Sequence, residues 1–278
     1  MLSIEKQLLY LVASGDGAGP GAAVKRLVSV YEARGVSHQI VRNSLASLKK
    51  EGYVASSERS RYVVTPLGED FIGMINRKPR LYEQEWNGLW CMVLFEVPEA
   101  DRRKRDRLRS DLLQLGFGAL YKSVYVSPWD CRDEVVRLSE LYEITDCVTV
   151  MESRFLHNCI SVDKARDLWQ LDAIQDLYVS GESWYRTEFA PALELVKGGE
   201  AGDDGLGLFV RFLELGEKIA DFSLRDPMLP DALLPQDWRG KQVLLEFDRC
   251  LLQIARSIPE SSPYRPFVNR FLSFMWNE

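Results

Sequence analysis

The stretch "SHQIVRNSLASLKKEGYVASSERSRYVVTPLGE", Ser37 to Glu69, decides how the N-terminal part of this chain is read. In its first half Val41, Leu45 and Leu48 recur at helical spacing, while Gln39, Arg42, Asn43, Ala46, Lys49 and Lys50 point away from that stripe. Ser37 stands where an N-cap belongs and Gly52 stops the helix. Past Gly52 the period changes. "YVASS" and "RYVVT" are β-rich runs separated by Glu58, Arg59 and Ser60, the length of a hairpin loop. "TPLGEDFIGMI" then opens another helix, with Thr65 as N-cap and Pro66 at its first position.

Two further helices precede this stretch. Ile4, Leu8, Leu9, Leu11 and Val12 mark the first, which "SGDGAGPG" breaks; Val24, Leu27, Val28, Val30 and Tyr31 mark the second, with Gly35 as a left-handed C-cap. Helix, helix, helix, hairpin, helix is the order of a winged helix-turn-helix, expected over residues 1–80. In such a module the second helix of the pair lies in the DNA major groove, and its N-terminal residues meet base edges. Ser37, His38, Gln39, Arg42 and Asn43 are the candidate base readers: Arg42 suits guanine, and Gln39 or Asn43 suits adenine. Lys49, Lys50, Arg59 and Arg61 are candidates for phosphates, which set register and affinity without reading sequence. A solvated helix beside an unrelated hairpin, or a winged helix used for protein interaction, are the competing readings.

Charge separates along the chain. Residues 1–80 hold 12 Lys and Arg against 7 Asp and Glu, so that a net charge of −6 overall divides into +5 there and −11 beyond. Such segregation points to a nucleic-acid-facing part joined to one that is not.

From Trp86 the pattern reads β-α-β-β-α-β: "LWCMVLFEV", "DRRKRDRLRSDLLQLG", "FGALYKSVYVSP", "RDEVVRLSELY" and "CVTVMES". That order predicts a central ferredoxin-like domain over 85–157. Beyond it lie helical patterns only, at 163–180, 183–197, 206–222, 231–256 and 264–276, with a Gly-rich loop at 197–205, giving a C-terminal all-helical domain over 160–278. The fold class is therefore α+β and multidomain.

Other chemistries have little material. Cys91, Cys131, Cys147, Cys159 and Cys250 form no C-x-x-C pair and read as reduced, mostly buried thiols; His38 and His157 have no neighbour at ligand spacing. No metal, cofactor or catalytic residue is expected. No apolar run reaches the roughly 20 residues of a membrane span, and the N-terminus carries Glu5 and Lys6 where a signal peptide would need apolar residues. A cytoplasmic protein without a membrane partner is the expectation.

Phe95 to Val126, a strand ending in an acid, a basic helix and then a Gly-Phe turn, resembles the small ferredoxin-like, metal-dependent nucleases of CRISPR adaptation. Their metal-binding aspartate corresponds here to Glu96, and no second acid is placed by the motif. A wider resemblance runs through "IVRNSLASLKKEGYV", "SERSRYVVTPLGE", Trp86 to Trp90, "LGFGALYKSVYVSP" and "LRDPMLPDALLPQDWRG", which occur in this order in the PaaX-type transcriptional repressors of phenylacetate degradation. The resemblance implies a non-enzymatic homodimer bound to double-stranded operator DNA. It also implies release by phenylacetyl-coenzyme A or a related acyl-CoA.

Such an effector needs cations for its phosphates and an aromatic-lined pocket for its acyl group. Arg102, Arg105 and Arg109 supply candidate cations, on a helix interleaved with Asp101, Asp106 and Asp111 that also reads as a solvated, salt-bridged face. Trp86 and Trp90 are the aromatic candidates, although they and Trp238 equally read as core or interface rings. In "DPMLPDALLP", Asp226 reads as an N-cap before Pro227.

Overall fold

Apolar spacing determines the helices of the N-terminal part. In the computed structural model, which describes residues 4–57, 60–198 and 204–275, α1 (Ile4–Ser14) buries Leu8, Leu9, Leu11 and Val12. Helix α2 (Val24–Glu32) buries Leu27, Val30 and Tyr31, and α3 (His38–Lys50) buries Val41, Leu45 and Leu48. Each such side chain contributes about 1.5–3 kcal/mol relative to an exposed one. Strands β1 (Ala22–Ala23), β2 (Val54–Ser56) and β3 (Arg61–Val64) form an antiparallel sheet in the order β1-β3-β2, with Val54 opposite Val64 and Ala22 opposite Tyr62.

Gly21 makes that pairing possible. Its φ is +66°, and a Cβ there would lie 1.9 Å from the Tyr62 carbonyl oxygen, so no side chain fits. Helix α4 (Pro66–Arg77) follows, its start capped by Thr65, whose Oγ1 accepts from the Gly68 N–H at 3.2 Å. Ser37 occupies the N-cap position of α3 with extended backbone, but its hydroxyl makes no capping hydrogen bond.

The chain forms two compact units. One unites Met1–Asn76 with Ser180–Asp221 and Gln242–Glu278; the other unites Arg77–Val179 with Phe222–Lys241. The helical stretch 160–278 is thus divided between them instead of standing as a single body. In the first unit, α10 (Leu206–Arg225) and α12 (Arg265–Met275) stack Phe209 on Phe267, with Tyr264 5.3 Å from Phe209. Arg270 of α12 holds Glu69 with two parallel bonds of 3.0 and 2.6 Å, and Arg34 donates to Gln7 and to Glu217 at 2.6 and 2.8 Å.

In the second unit β4 (Trp90–Phe95), β5 (Gly118–Tyr121), β6 (Val124–Ser127) and β7 (Val148–Ser153) form an antiparallel sheet in the order β5-β6-β4-β7. Helices α5 (Arg102–Gln114) and α6 (Arg132–Leu141) complete a βαββαβ succession, and Leu108, Leu112 and Val135 are buried with Val93 and Phe95 of β4. The expected helix at 163–180 is two, α7 (Val162–Leu168) and α8 (Leu171–Trp184), because Gln170 takes a left-handed φ of +53° between them. The helical pattern from 183 to 197 is carried by the end of α8, a π turn at Tyr185–Phe189 and α9 (Ala190–Lys197). Gly118 lets the α7 end settle on β5: a Cβ there would fall 2.8 Å from both Leu168 and Trp169.

Asp226 corrects the sequence reading. It caps no helix; it is fully buried, and its Oδ2 accepts from the hydroxyls of Tyr82 and Tyr178 at 2.5 and 2.6 Å, while Oδ1 accepts from the Met228 N–H. Burial raises its pKa, only partly offset by the tyrosine hydroxyls. The helix expected from residue 231 begins instead at Gly240, as α11 (Gly240–Ser257), after a short 3-10 turn at Asp231–Leu233. Met228 and Leu229 are fully buried, and the Met228 carbonyl accepts from the Trp129 indole at 2.7 Å, so this proline-punctuated run lines the core, turning at Met228 with a left-handed φ of +55°.

Candidate functional site

Helix α3 presents two faces. Val41, Leu45 and Leu48 are at most 3 % exposed, whereas Ser37, His38, Gln39, Arg42, Asn43, Lys49 and Lys50 all lie on the surface. At 100° per residue, Gln39, Asn43, Ala46 and Lys50 fall opposite the buried stripe, with Arg42 on one flank. Gln39 Nε2 donates to Asn43 Oδ1 at 2.8 Å, one helical turn away. This bond fixes the two amides relative to each other and leaves an acceptor on Gln39 and donors on Asn43 facing outward. Arg42 has no partner among the described residues.

Ile40, on the other flank and 46 % exposed, escaped the sequence reading. Its signal was an apolar residue outside the buried stripe of an otherwise polar surface, the type of group that meets a thymine methyl.

The basic residues divide. Lys50 is exposed, and Lys49 Nζ donates to Ser56 Oγ of β2 at 3.0 Å, tying the end of α3 to the hairpin. Arg61 is engaged elsewhere. Its guanidinium donates to Asp16 Oδ1 and Oδ2 at 2.7 and 3.3 Å and to the Gly21 carbonyl at 3.0 Å. Burial would raise the pKa of Asp16, but Arg61 and the backbone N–H groups of Ala23 and Ala18 hold it below the usual carboxylate range. The sequence placed Arg61 on phosphates; the fold uses it to pin the Gly-rich loop after α1 against β3. Arg59 lies outside the described residues.

The five residues proposed for an effector are not brought together. Trp86 and Trp90 are neighbours, ring centroids 5.1 Å apart and edge to face, on the wall of a cavity of about 290 Å³. Arg102, Arg105 and Arg109 are absent from that wall. Arg109 sits 5.8 Å over the ring of Phe95, at the far end of β4 from Trp90, a separation of about 16 Å along an extended strand. Arg105 donates to Glu99 at 2.9 Å and Arg102 lies 3.6 Å from Asp106, so α5 carries the interleaved ion pairs of a solvated face. Glu96, the residue matching a nuclease metal ligand, is exposed, and no group of three or more metal-binding side chains gathers among the described residues.

Comparison with known proteins places two matches side by side. Residues 83–165 match the family model described as "PaaX protein central Cas2-like domain", and residues 169–258 match "PaaX-like protein C-terminal domain". The chain is 25 % identical over 226 residues to a protein of Escherichia coli (strain K12) named "Transcriptional repressor PaaX", an alignment that spans 77 % of this chain and 68 % of that one. Among solved structures it resembles the uncharacterized protein Rv0674 from Mycobacterium tuberculosis, with a TM-score of 0.50, 22 % identity and coverage of 90 % of this chain and 94 % of that one.

Proposed function

The chain belongs to the PaaX family, and on that premise we propose that it is a DNA-binding transcriptional repressor rather than an enzyme. The observation that carries the reading is α3: a buried stripe of Val41, Leu45 and Leu48 turns a row of exposed donors and acceptors outward beside a β-hairpin. In this reading α1–α3 with the β1-β3-β2 sheet are a winged helix-turn-helix, and α3 enters the major groove. Arg42, Gln39 and Asn43 read bases, with Ser37 and His38 at the helix start; Lys49 and Lys50 hold phosphates. Arg61 shapes the module from inside instead of gripping DNA.

The βαββαβ unit is the ferredoxin-like part. The protein acts in the cytoplasm as a homodimer whose two α3 helices meet half-sites about one helical turn, or a multiple of it, apart. Its operon is one of aromatic-acid catabolism of the phenylacetate type. An aryl-acyl-CoA releases it by binding one state of the dimer better than the other, since a ligand with equal affinity for both shifts nothing.

The test is a titration of the promoter upstream of the neighbouring catabolic genes at several salt concentrations. A DNA binder loses affinity steeply between about 50 and 200 mM salt. Affinity for DNA that is weak and indifferent to both salt and sequence would leave a protein-interaction module instead.

A further inference from the structure

The cavity beside Trp90 lies entirely within the second unit, and its wall has an unusual composition. Trp86, Trp90 and Phe155 give it three aromatic rings, with Ile160 and Leu233 as aliphatic neighbours, and Arg154 is the one charged side chain in its lining. The rings are held in place. Trp90 packs edge to face on Trp86 and on Phe155 at 5.1 and 5.5 Å, and its other neighbour, Trp169, stacks nearly parallel at 6.4 Å. Trp86 Nε1 donates to the Leu89 carbonyl at 2.7 Å, which fixes that ring.

Two polar groups on this wall lack partners. Trp90 is only 4 % exposed, yet its indole N–H has no acceptor among the described residues. That nitrogen is not among the sealed, unpartnered side-chain atoms of the described residues, so it stays open to an incoming acceptor. Arg154 is exposed at the mouth and likewise has no ion-pair partner among the described residues. No carboxylate lines the cavity to neutralise it.

We propose that this cavity binds a small aromatic carboxylate, its ring among Trp86, Trp90 and Phe155 and its carboxylate shared between the Arg154 guanidinium and the Trp90 indole N–H. About 290 Å³ is at the low end for ligand pockets and suits a one- or two-ring acid. A planar fork of guanidinium donors matches a carboxylate, and ring faces and edges match an aryl group. One cation balances one carboxylate. The several phosphates of a coenzyme A thioester would need more cations than this wall holds, so this cavity takes the free acid, a ligand separate from the acyl-CoA effector of the repressor reading. The site also gives the "DPMLPDALLP" run a role. Asp226, locked by Tyr82 and Tyr178, anchors a segment whose 3-10 turn carries Leu233 to the wall.

The experiment is calorimetric titration of the full chain, without DNA, with benzoate, 2-phenylacetate and indole-3-acetate. The neutral amides of the same acids and the coenzyme A thioester of 2-phenylacetate are run in parallel. At least one free acid binds more tightly than about 1 mM, and its amide binds at least about tenfold more weakly, the loss of one charge-assisted contact. Arg154→Gln, at an exposed position, weakens the acid to the level of the amide and leaves the amide unchanged; Phe155→Leu weakens both. Alkylation of the exposed thiol of Cys159, which also lines the cavity, slows in the presence of the acid. The proposal is overturned if no acid binds, if Arg154→Gln binds the acid as well as the parent does, or if the thioester alone binds. Because binding is read without DNA, its failure is separable from failure of the repressor reading.

Discussion

Arg61 closes on Asp16 with two guanidinium nitrogens, at 2.7 and 3.3 Å, across 45 residues of sequence. Asp16 is 2 % exposed and also accepts from the N–H groups of Ala18 and Ala23, at 3.1 and 2.9 Å. One carboxylate therefore organises the Gly-rich loop, β1 and the entry to β3. Asp16→Ala leaves the Arg61 charge and two backbone donors without their partner and destabilises the first unit by about 1–3 kcal/mol. The midpoint of urea unfolding moves down accordingly; an unchanged midpoint would refute this role.

The same geometry separates Arg61 from the lysines in a DNA titration. Lys50→Gln lowers the slope of log affinity against log salt by about 0.9, the release of one phosphate's counterion. Arg61→Gln lowers stability and leaves that slope as it was. A slope change equal to that of Lys50→Gln would put Arg61 on the phosphates after all.

Gln39 and Asn43 act as a unit. Their 2.8 Å bond sets both amides before DNA arrives, so either alanine substitution frees the other side chain. In a double-mutant cycle on operator affinity the two are coupled by at least about 0.5 kcal/mol. Arg42→Gln costs about 1–3 kcal/mol on the preferred site and relaxes sequence preference. Strict additivity of Gln39→Ala and Asn43→Ala would break the pairing argument.

Removing the Asp226 carboxylate orphans two buried hydroxyls. Asp226→Ala destabilises the second unit by about 2–5 kcal/mol, and Tyr178→Phe, which removes one donor, by about 1–2 kcal/mol. Thermal unfolding monitored by near-ultraviolet circular dichroism reads both, since Tyr178 lies 4.7 Å from Phe222 and 5.8 Å from Trp238.

The Glu69–Arg270 pair gives stability a defined dependence on pH. The hydrogen-bonded Arg270 guanidinium holds the Glu69 carboxyl below its ordinary value of 4.5. Its contribution is complete above that value and fades as pH falls through the lower folded pKa. The pair is partly solvated, so Glu69→Gln costs about 0.5–1 kcal/mol at neutral pH. The gap between parent and variant in urea midpoint closes as the pH is brought down below 4.5. A gap that persists in acid would assign the effect to packing.

Much of the first unit was legible because its signals are local. The 3.6-residue stripe of α3, the switch to β-rich runs after Gly52 and the Thr65-Pro66 helix start all lie within a few residues of the structure they specify. The strand and helix succession from Trp90 to Ser153 was legible for the same reason. Asp226 was misread because Asp before Pro is an N-cap by local rule, while its true partners, Tyr82 and Tyr178, are 144 and 48 residues away. Arg154 offered no signal, being one arginine in an irregular loop.

By itself the sequence determined most of the helices and strands and which face of each is apolar, since both follow from periodicity within one element; the break at Gln170, the late start of α11 at Gly240 and the short strand β1 carry no such periodicity. It also set the residues that α3 turns outward, because a helix with three apolar positions has one way to bury them. Only the tertiary structure decided what the charged and aromatic side chains do. Whether Arg61 meets phosphate or Asp16, and whether Trp86 and Trp90 are sealed in a core or line a cavity beside Arg154, depends on pairings across long stretches of chain. Such pairings carry no local pattern: an ion pair or a cavity wall needs only that its members arrive at one place, whatever their spacing in sequence.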